Sequence, residues 1–324
     1  MPEDYIYAVT RIHIRERNLL NGADIDALSS AKSFSEALSL LAAKGWETQL
    51  VSGGDTEALI NTEYEKTWAL IAEAAGQVEE LNIFRRTRDF HNLKAAIKLT
   101  YTGEPSHSRA RYFLDYGLTP TERIIQAADN REFSLLPDYL AKAGKEAWEA
   151  LVNTGNGQLC EIVIDRAALE DLDREGKASG NPLIRRYATF TVDTANIKAA
   201  ARCHLLSRGC KFLEHVVAEG GSLNRKGLID AALGDGYEIG KFLSGTPYEG
   251  AASTESSGAF ERWRNDELIR MIRPQAKAYS GVEPLAAYIL ARENEIAMAR
   301  LILSSKAVGL SESAVKERLG LTYV

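Results

Sequence analysis

Two carboxylate–carboxamide pairs recur in this chain, each spaced by roughly one helical turn. Asp89 and Asn92 lie in Arg88-Asp89-Phe90-His91-Asn92-Leu93-Lys94-Ala95-Ala96-Ile97-Lys98, and Asp193 and Asn196 in Val192-Asp193-Thr194-Ala195-Asn196-Ile197-Lys198-Ala199-Ala200-Ala201-Arg202. A fainter copy, Ala291-Arg292-Glu293-Asn294-Glu295-Ile296-Ala297-Met298-Ala299-Arg300, carries different polar residues, among them Glu293 and Glu295. At about 100° per residue, Asp89, Asn92, Leu93 and Ala96 share one side of a helix, while His91, Lys94 and Lys98 point elsewhere. A carboxylate beside an apolar stripe is either a general acid or base, or a structural group whose oxygens are taken by arginines or backbone amides of a neighbour. Arg85, Arg86 and Arg88 are the cations at hand for the first copy, Arg185 and Arg186 for the second. Because the third copy replaces Asp and Asn, the structural role is favoured. Asp89, Asn92, Lys94, Asp193, Asn196, Lys198, Glu293 and Glu295 are therefore read as a signature that fixes how helices meet.

Other constellations fall short of the chemistry they suggest. In Gly234-Asp235-Gly236-Tyr237-Glu238-Ile239-Gly240-Lys241-Phe242, Asp235 sits in the place of the first glycine of a phosphate loop and Phe242 replaces the magnesium-binding hydroxyl. The same stretch fails as a dinucleotide fingerprint, since its third glycine is one residue late and no apolar strand precedes it. Cys203, His204, Cys210 and His215 do not supply the two close ligand pairs of a zinc site. No Gly-x-Ser-x-Gly nucleophile motif occurs. No catalytic, cofactor-binding or metal-binding residue is assigned, and no direct nucleotide binding is expected.

The elements that position the signature read as helices almost throughout. Tyr5, Ala8, Val9, Ile12, Glu16, Leu19 and Leu20 follow helical spacing, and Gly22 suits a helix end. Ser33 with Glu36 forms a capping box for a helix that stops at Gly45. Long helices are expected from about residue 55 to 75 and 83 to 101, with a boundary at Gly103-Glu104-Pro105-Ser106. Thr119-Pro120-Thr121-Glu122 predicts a helix start with Thr119 as cap. Further helices are expected from about 137 to 152, from 159 to 176 beyond a Gly155-Asn156-Gly157 break, and from Asn181-Pro182 onward. Glu161-Ile162-Val163-Ile164 is the best strand candidate, and its flanks favour a helix. A final short helix is capped by Ser311 and ended by Gly320. The loop from Ser244 to Gly258 is the longest weakly patterned stretch, so Ser244, Gly245, Thr246, Pro247 and Tyr248 are read as a candidate contact loop.

Anchored on Leu93, Ile197 and Ile296, the three copies lie 104 and 99 residues apart, the length of a small domain. This predicts three related helical domains, residues 1–110, 111–217 and 218–324. A net charge of −6 over 324 residues argues against a nucleic-acid partner. No apolar run approaches the roughly 20 residues of a membrane span, and Met1-Pro2-Glu3-Asp4 does not resemble a signal peptide. Three cysteines without framework spacing fit a reducing compartment and no disulfide. A cytoplasmic protein, or one on a cytoplasmic membrane face, is the expectation. On composition alone a soluble helical interaction scaffold is the favoured reading.

The order of these strings carries a more specific likeness. With Tyr5-Ile6-Tyr7-Ala8 followed by Arg11 and Arg15, the first two signature helices, Leu243-Ser244-Gly245-Thr246-Pro247-Tyr248, Arg292-Glu293-Asn294-Glu295-Ile296 and Lys306-Ala307-Val308-Gly309-Leu310, the chain resembles the C subunits of V-type and A-type rotary ATPases, called d subunits in the eukaryotic V-type enzymes. The resemblance implies an all-α fold of three similar helical bundles in pseudo-threefold arrangement, forming a funnel with a central socket. It further implies a non-catalytic rotor part, one copy per complex. Its socket would receive the central-shaft subunits D and F, and its other face would sit on the cytoplasmic side of the proteolipid rotor ring, passing torque between ATP chemistry and ion movement.

Overall fold

A computed structural model describes residues 5–51, 55–103, 112–254 and 256–324. Every regular element among them is a helix, so the all-α expectation holds. In chain order these are α1 (Ile6–Glu16), α2 (Gly22–Ser30), α3 (Phe34–Ala43), α4 (Glu57–Ala75) and α5 (Asn82–Thr102). There follow α6 (Thr121–Asn130), α7 (Asp138–Thr154), α8 (Gly157–Ala178), α9 (Pro182–Leu205), α10 (Cys210–Val216), α11 (Arg225–Leu233) and α12 (Gly236–Leu243). The last are α13 (Glu249–Ala252), α14 (Ser257–Ile272), α15 (Glu283–Ala307) and α16 (Glu312–Lys316).

Helix starts follow local chemistry. The Asn21 side chain accepts from the Asp24 amide and the Asp24 carboxylate from the Asn21 amide, a reciprocal cap that opens α2. Gly22, expected at a helix end, is thus the first residue of the next helix. Ser33 caps α3 through the Glu36 amide, but Glu36 reaches back to the amide of Lys32 rather than that of Ser33. Asn156 caps α8, which absorbs the strand candidate Glu161–Ile164, and Asn181 accepts from two amides at the start of α9. Thr119 does not cap α6: Pro120 occupies that position, and the Thr119 groups are used elsewhere. The boundary at Gly103-Glu104-Pro105-Ser106 lies, from Glu104 on, outside the described residues, as do Met1–Asp4.

The chain forms two compact units, Met1–Glu79 with Ser253–Val324, and Glu80–Ala252. In the first, α15 is buried nearly all round against α1, α2, α3 and α4, which explains why no amphipathic stripe marks its sequence. Leu20, Ile25, Leu28, Leu41, Leu59 and Ile60 join Ile296, Ile302 and Leu303 in one core. In the second unit, α5 packs on α6, α7 and α8 around Leu93, Ile97, Ile124, Leu140 and Ile164, and α9 packs on α8, α10 and α11. In this unit each signature helix finds its loop partners in chain that comes after it. The third signature helix, α15, packs instead on α1, α2, α3 and α4, which come before it in the chain. The units accordingly part at 79/80 and 252/253, while 110 and 217 fall where the sequence repeat alone would cut.

Candidate functional site

The signature helices carry polar groups into the core. Asp89 and Asn92 on α5 are 0% exposed, as is Asp193 on α9, and Asn196 is buried beside it. A buried carboxylate needs donors, and a buried carboxamide needs both a donor and an acceptor. The chain supplies these at matching distances along its sequence.

Asn92 pairs with the backbone of Leu114 through both ends of its carboxamide, Nδ2 donating to the carbonyl at 2.8 Å and Oδ1 accepting from the amide at 2.8 Å. Asn196 does the same with Ala218, at 3.0 and 2.9 Å. In each case the partner lies 22 residues on. Asp89 accepts from the amides of Leu118 and Thr119 and from the Tyr139 hydroxyl at 2.5 Å. Asp193 accepts from the amides of Ser222 and Leu223, the Ser222 hydroxyl, and the Tyr248 hydroxyl at 2.6 Å. The amides are 29 and 30 residues beyond the carboxylate in both copies. The second of each pair directly precedes the cap of a helix, Pro120 of α6 or Asn224 of α11.

A glycine makes room for each carboxylate. A Cβ on Gly117 or on Gly221 would overlap the carboxylate of Asp89 or Asp193 respectively, and Gly221 in addition has φ +74°. Each tyrosine is braced by the residue one turn ahead of the aspartate. The Arg86 guanidinium lies 3.8 Å from the Tyr139 ring centroid while pairing with both Asp171 oxygens at 2.7 Å, and Phe190 stacks on Tyr248. Burial pushes the Asp89 carboxyl above the ordinary aspartate value, even though the Tyr139 hydroxyl and the two amides pull it down. Burial and the bond to aspartate push both tyrosine hydroxyls well up, so they remain donors.

The third copy performs the same task with other chemistry. Arg292 stands where the aspartate would be and Glu295 where the asparagine would be. Glu295 Oε1 accepts from the amide of Leu20 at 2.9 Å, and Leu20 directly precedes Asn21, the cap of α2. The longer glutamate therefore reaches, from one turn further along, the same kind of amide that Asp89 and Asp193 hold. Its other oxygen takes Arg292 Nη1 at 2.6 Å, and Arg292 Nη2 reaches Glu63 Oε2 on α4 at 2.6 Å. All three side chains are buried. Burial opposes the charge on Arg292, but Glu295, Tyr288 and Glu63 hold its pKa above the usual value. Burial raises Glu295 over the lowering effect of Arg292 and the Leu20 amide. A cleft of about 410 Å³ beside this network is lined by Trp46, Glu63, Lys66, Tyr288 and Arg292. Lys66 in it is held by Glu63 at 2.8 Å and Glu47 at 3.1 Å.

Of the two kinds of partner expected, backbone amides are the ones that hold the aspartates among the described residues. Arg88 donates to the Asp115 carbonyl and Arg85 to the carbonyls of Tyr116 and Gly117, so these cations hold the same loop by its oxygens. Lys94 leaves the clasp and pairs with Asp165 on α8, as Lys98 does with Glu161. Lys198 is exposed and Glu293 half-buried. Ser244, Gly245 and Pro247 lie toward solvent, whereas Thr246 turns its hydroxyl to the Leu243 carbonyl and Tyr248 is buried in the Asp193 clasp. Sequence reasoning did not find Tyr139, Arg292 or Glu63. Gly117 and Gly221, each 28 residues after its aspartate, are the signal that could have led to the loop partners.

These carboxylates are saturated by donors and sealed from solvent, so they fasten a loop to a helix rather than exchange protons with a substrate. Among the described residues no group of His, Cys, Asp and Glu could hold a metal ion. His204 Nδ1 meets the Ala232 carbonyl, His215 Nδ1 the Lys211 carbonyl, and burial lifts the Cys203 thiol pKa. No helix among these residues is long and apolar enough to cross a membrane.

Residues 8–318 match the family model described as ATP synthase (C/AC39) subunit. The C subunit of the V-type sodium ATPase of Enterococcus hirae is 24% identical over 317 residues, covering 95% of this chain and 96% of its own length. The C subunit of the V-type ATP synthase of Thermus thermophilus is 24% identical over 327 residues, covering 98% and 99% respectively. That of Deinococcus radiodurans is 23% identical over 335 residues, covering 98% and 92%.

Proposed function

Since this chain belongs to the ATP synthase (C/AC39) subunit family, and is thereby homologous to the C subunits of V-type rotary ATPases, we propose that it is a non-catalytic rotor part that couples the central shaft to the membrane ring. In this reading subunits D and F enter a socket at one end, the proteolipid ring lies at the other, and the chain passes torque between them on the cytoplasmic side of the membrane. The three domains, 1–110, 111–217 and 218–324, form the funnel that holds the socket. The end-to-end family match is the observation that carries the proposal.

The clasps support it physically. A coupler must not yield under load, and loops tied to buried helices through several charge-assisted hydrogen bonds resist shear better than apolar contacts alone. No saturated carboxylate in them is free for catalysis. The outward-facing Ser244, Gly245 and Pro247 belong to a rim that touches the shaft or the ring, while Tyr248 anchors that rim to α9.

The test is purification of the tagged full-length chain from membranes. Recovery with the ATPase head, subunits D and F and the proteolipid ring supports the proposal. So does loss of ATP-driven ion transport, with ATP hydrolysis by the head retained, when the chain is deleted. Recovery only with unrelated soluble partners, or coupled transport unaffected by the deletion, overturns it. Introduction of charge at Ser244 and Pro247 that leaves assembly and coupling intact removes the contact loop from the proposal.

A further inference from the structure

His13 is held at both ring nitrogens. Nε2 lies 2.8 Å from the carbonyl oxygen of Ala278, in the segment between a short 3-10 turn and α15, and Nδ1 lies 2.7 Å from Glu16 Oε2 one turn along α1. A carbonyl oxygen carries no hydrogen, so Nε2 must donate. A neutral imidazole has then spent its one N–H, and its Nδ1 presents a lone pair. An ionised carboxylate also presents lone pairs, and two lone pairs do not meet at 2.7 Å without a proton between them. The contact therefore demands one extra proton, as imidazolium against carboxylate or as imidazole against carboxylic acid.

The surroundings keep that proton in place. Glu16 is buried, and its second oxygen, Oε1, has no hydrogen-bond partner among the described residues. The Tyr323 hydroxyl, also buried and without a partner there, faces Glu16, and Tyr288 on α15 feels the same carboxylate. Burial lifts the Tyr288 phenol to about 12, and burial with Glu16 lifts Tyr323 as well, so neither gives up a proton near neutral pH. Of the nearby cations, Arg11 is engaged with Glu73 on α4 at 2.9 Å. Arg292 and Glu295 on α15 satisfy each other. His13, facing Glu16, is left as the titrating group.

We propose that this shared proton is a latch: with it the ring donates to the Ala278 carbonyl and to Glu16 together, without it the neutral ring can donate to only one of them, so the hold of α1 on the segment leading into α15 weakens as pH rises above the ordinary imidazole range. The sign follows from linkage. Burial favours the neutral ring, but the Ala278 carbonyl and Glu16 outweigh it and raise the folded pKa above the ordinary value of 6.5. The stabilisation is then complete below 6.5 and disappears as pH passes the raised folded value.

The test is a titration of the full chain between about pH 5.5 and 9, following imidazole nitrogen shifts by NMR. The His13 signal, one of five histidines, is assigned by its absence in His13→Gln. The latch requires an imidazolium or a strong hydrogen-bonded proton at Nδ1 with a midpoint above 6.5. Hydrogen exchange of the α1 amides, corrected for intrinsic rate, should lose up to about tenfold of protection per pH unit between the ordinary imidazole value and that midpoint, and level off above it. In Glu16→Gln the carboxamide donates to a neutral Nδ1 without an extra proton, so the pH dependence of α1 protection should vanish. A midpoint at or below 6.5 in the wild-type chain overturns the proposal, and so does an undiminished pH trend in Glu16→Gln. If that variant does not fold, the wild-type titration decides alone.

Discussion

The second unit ties its loops to α5 and α9 with aspartate, asparagine and tyrosine, whereas the first unit ties its loop to α15 with glutamate and arginine. In all three, a carboxylate takes the amide just ahead of a helix cap: Thr119, Leu223 and Leu20. The difference lies in how the carboxylate is kept content. Asp89 and Asp193 are served by neutral donors, so no counter-ion is needed. Glu295 instead leans on Arg292, which must in turn satisfy Glu63. The architectural task is shared, and the way it can fail is not: a neutral clasp loses one bond at a time, while a buried ion cluster loses its balance of charge all at once.

The sharpest break of this comparison is Arg292→Met, which leaves Glu63 and Glu295 facing each other in the core. It should cost about 3–5 kcal/mol in denaturant unfolding. A loss no larger than that of a surface substitution would mean that the ion cluster is not the first unit's equivalent of the clasps. Next come Tyr139→Phe and Tyr248→Phe, each removing one hydroxyl from a carboxylate for about 1.5–3 kcal/mol. The two losses should agree, and a clear disagreement would show that the repeats are alike in geometry only. Gly117→Ala and Gly221→Ala both push a methyl into a carboxylate, but Gly221 also sits in the left-handed region. Its variant should be the less stable by about 1–2 kcal/mol in thermal melts. Smallest of all, Lys94→Ala and Lys98→Ala break half-exposed pairs and should each change stability by less than about 1 kcal/mol. A larger change would move Lys94 from the surface back into the signature.

Much of the site was legible in the residues. The helical wheel places Asp89 and Asn92 with Leu93 and Ala96 on one side and Lys94 and Lys98 off it, and all four of the first group are buried. Backbone amides, named among the possible partners, are the ones used. Their identity was hidden, because Leu118 and Ser222 sit in loops whose path no local pattern fixes. Tyr139 and Tyr248 lie 50 and 55 residues from their aspartates, an offset too irregular to stand out as a repeat. Thr119 has every local mark of a helix cap and is still drawn away, since its amide and hydroxyl serve Asp89 and Tyr139. In the third copy the buried ion pair runs through Arg292 and Glu295.

Composition and periodicity by themselves determined that this chain is helical, where most helices begin, and which face of α5 and α9 turns inward, because these depend on interactions within a few residues. The tertiary structure alone decided that α15 packs on helices from the other end of the chain, that a glutamate one turn on replaces an aspartate, and that Tyr248 is a core residue rather than a loop tip. Those outcomes rest on which distant donor comes within about 3 Å of a buried acceptor, a distance that linear spacing does not encode.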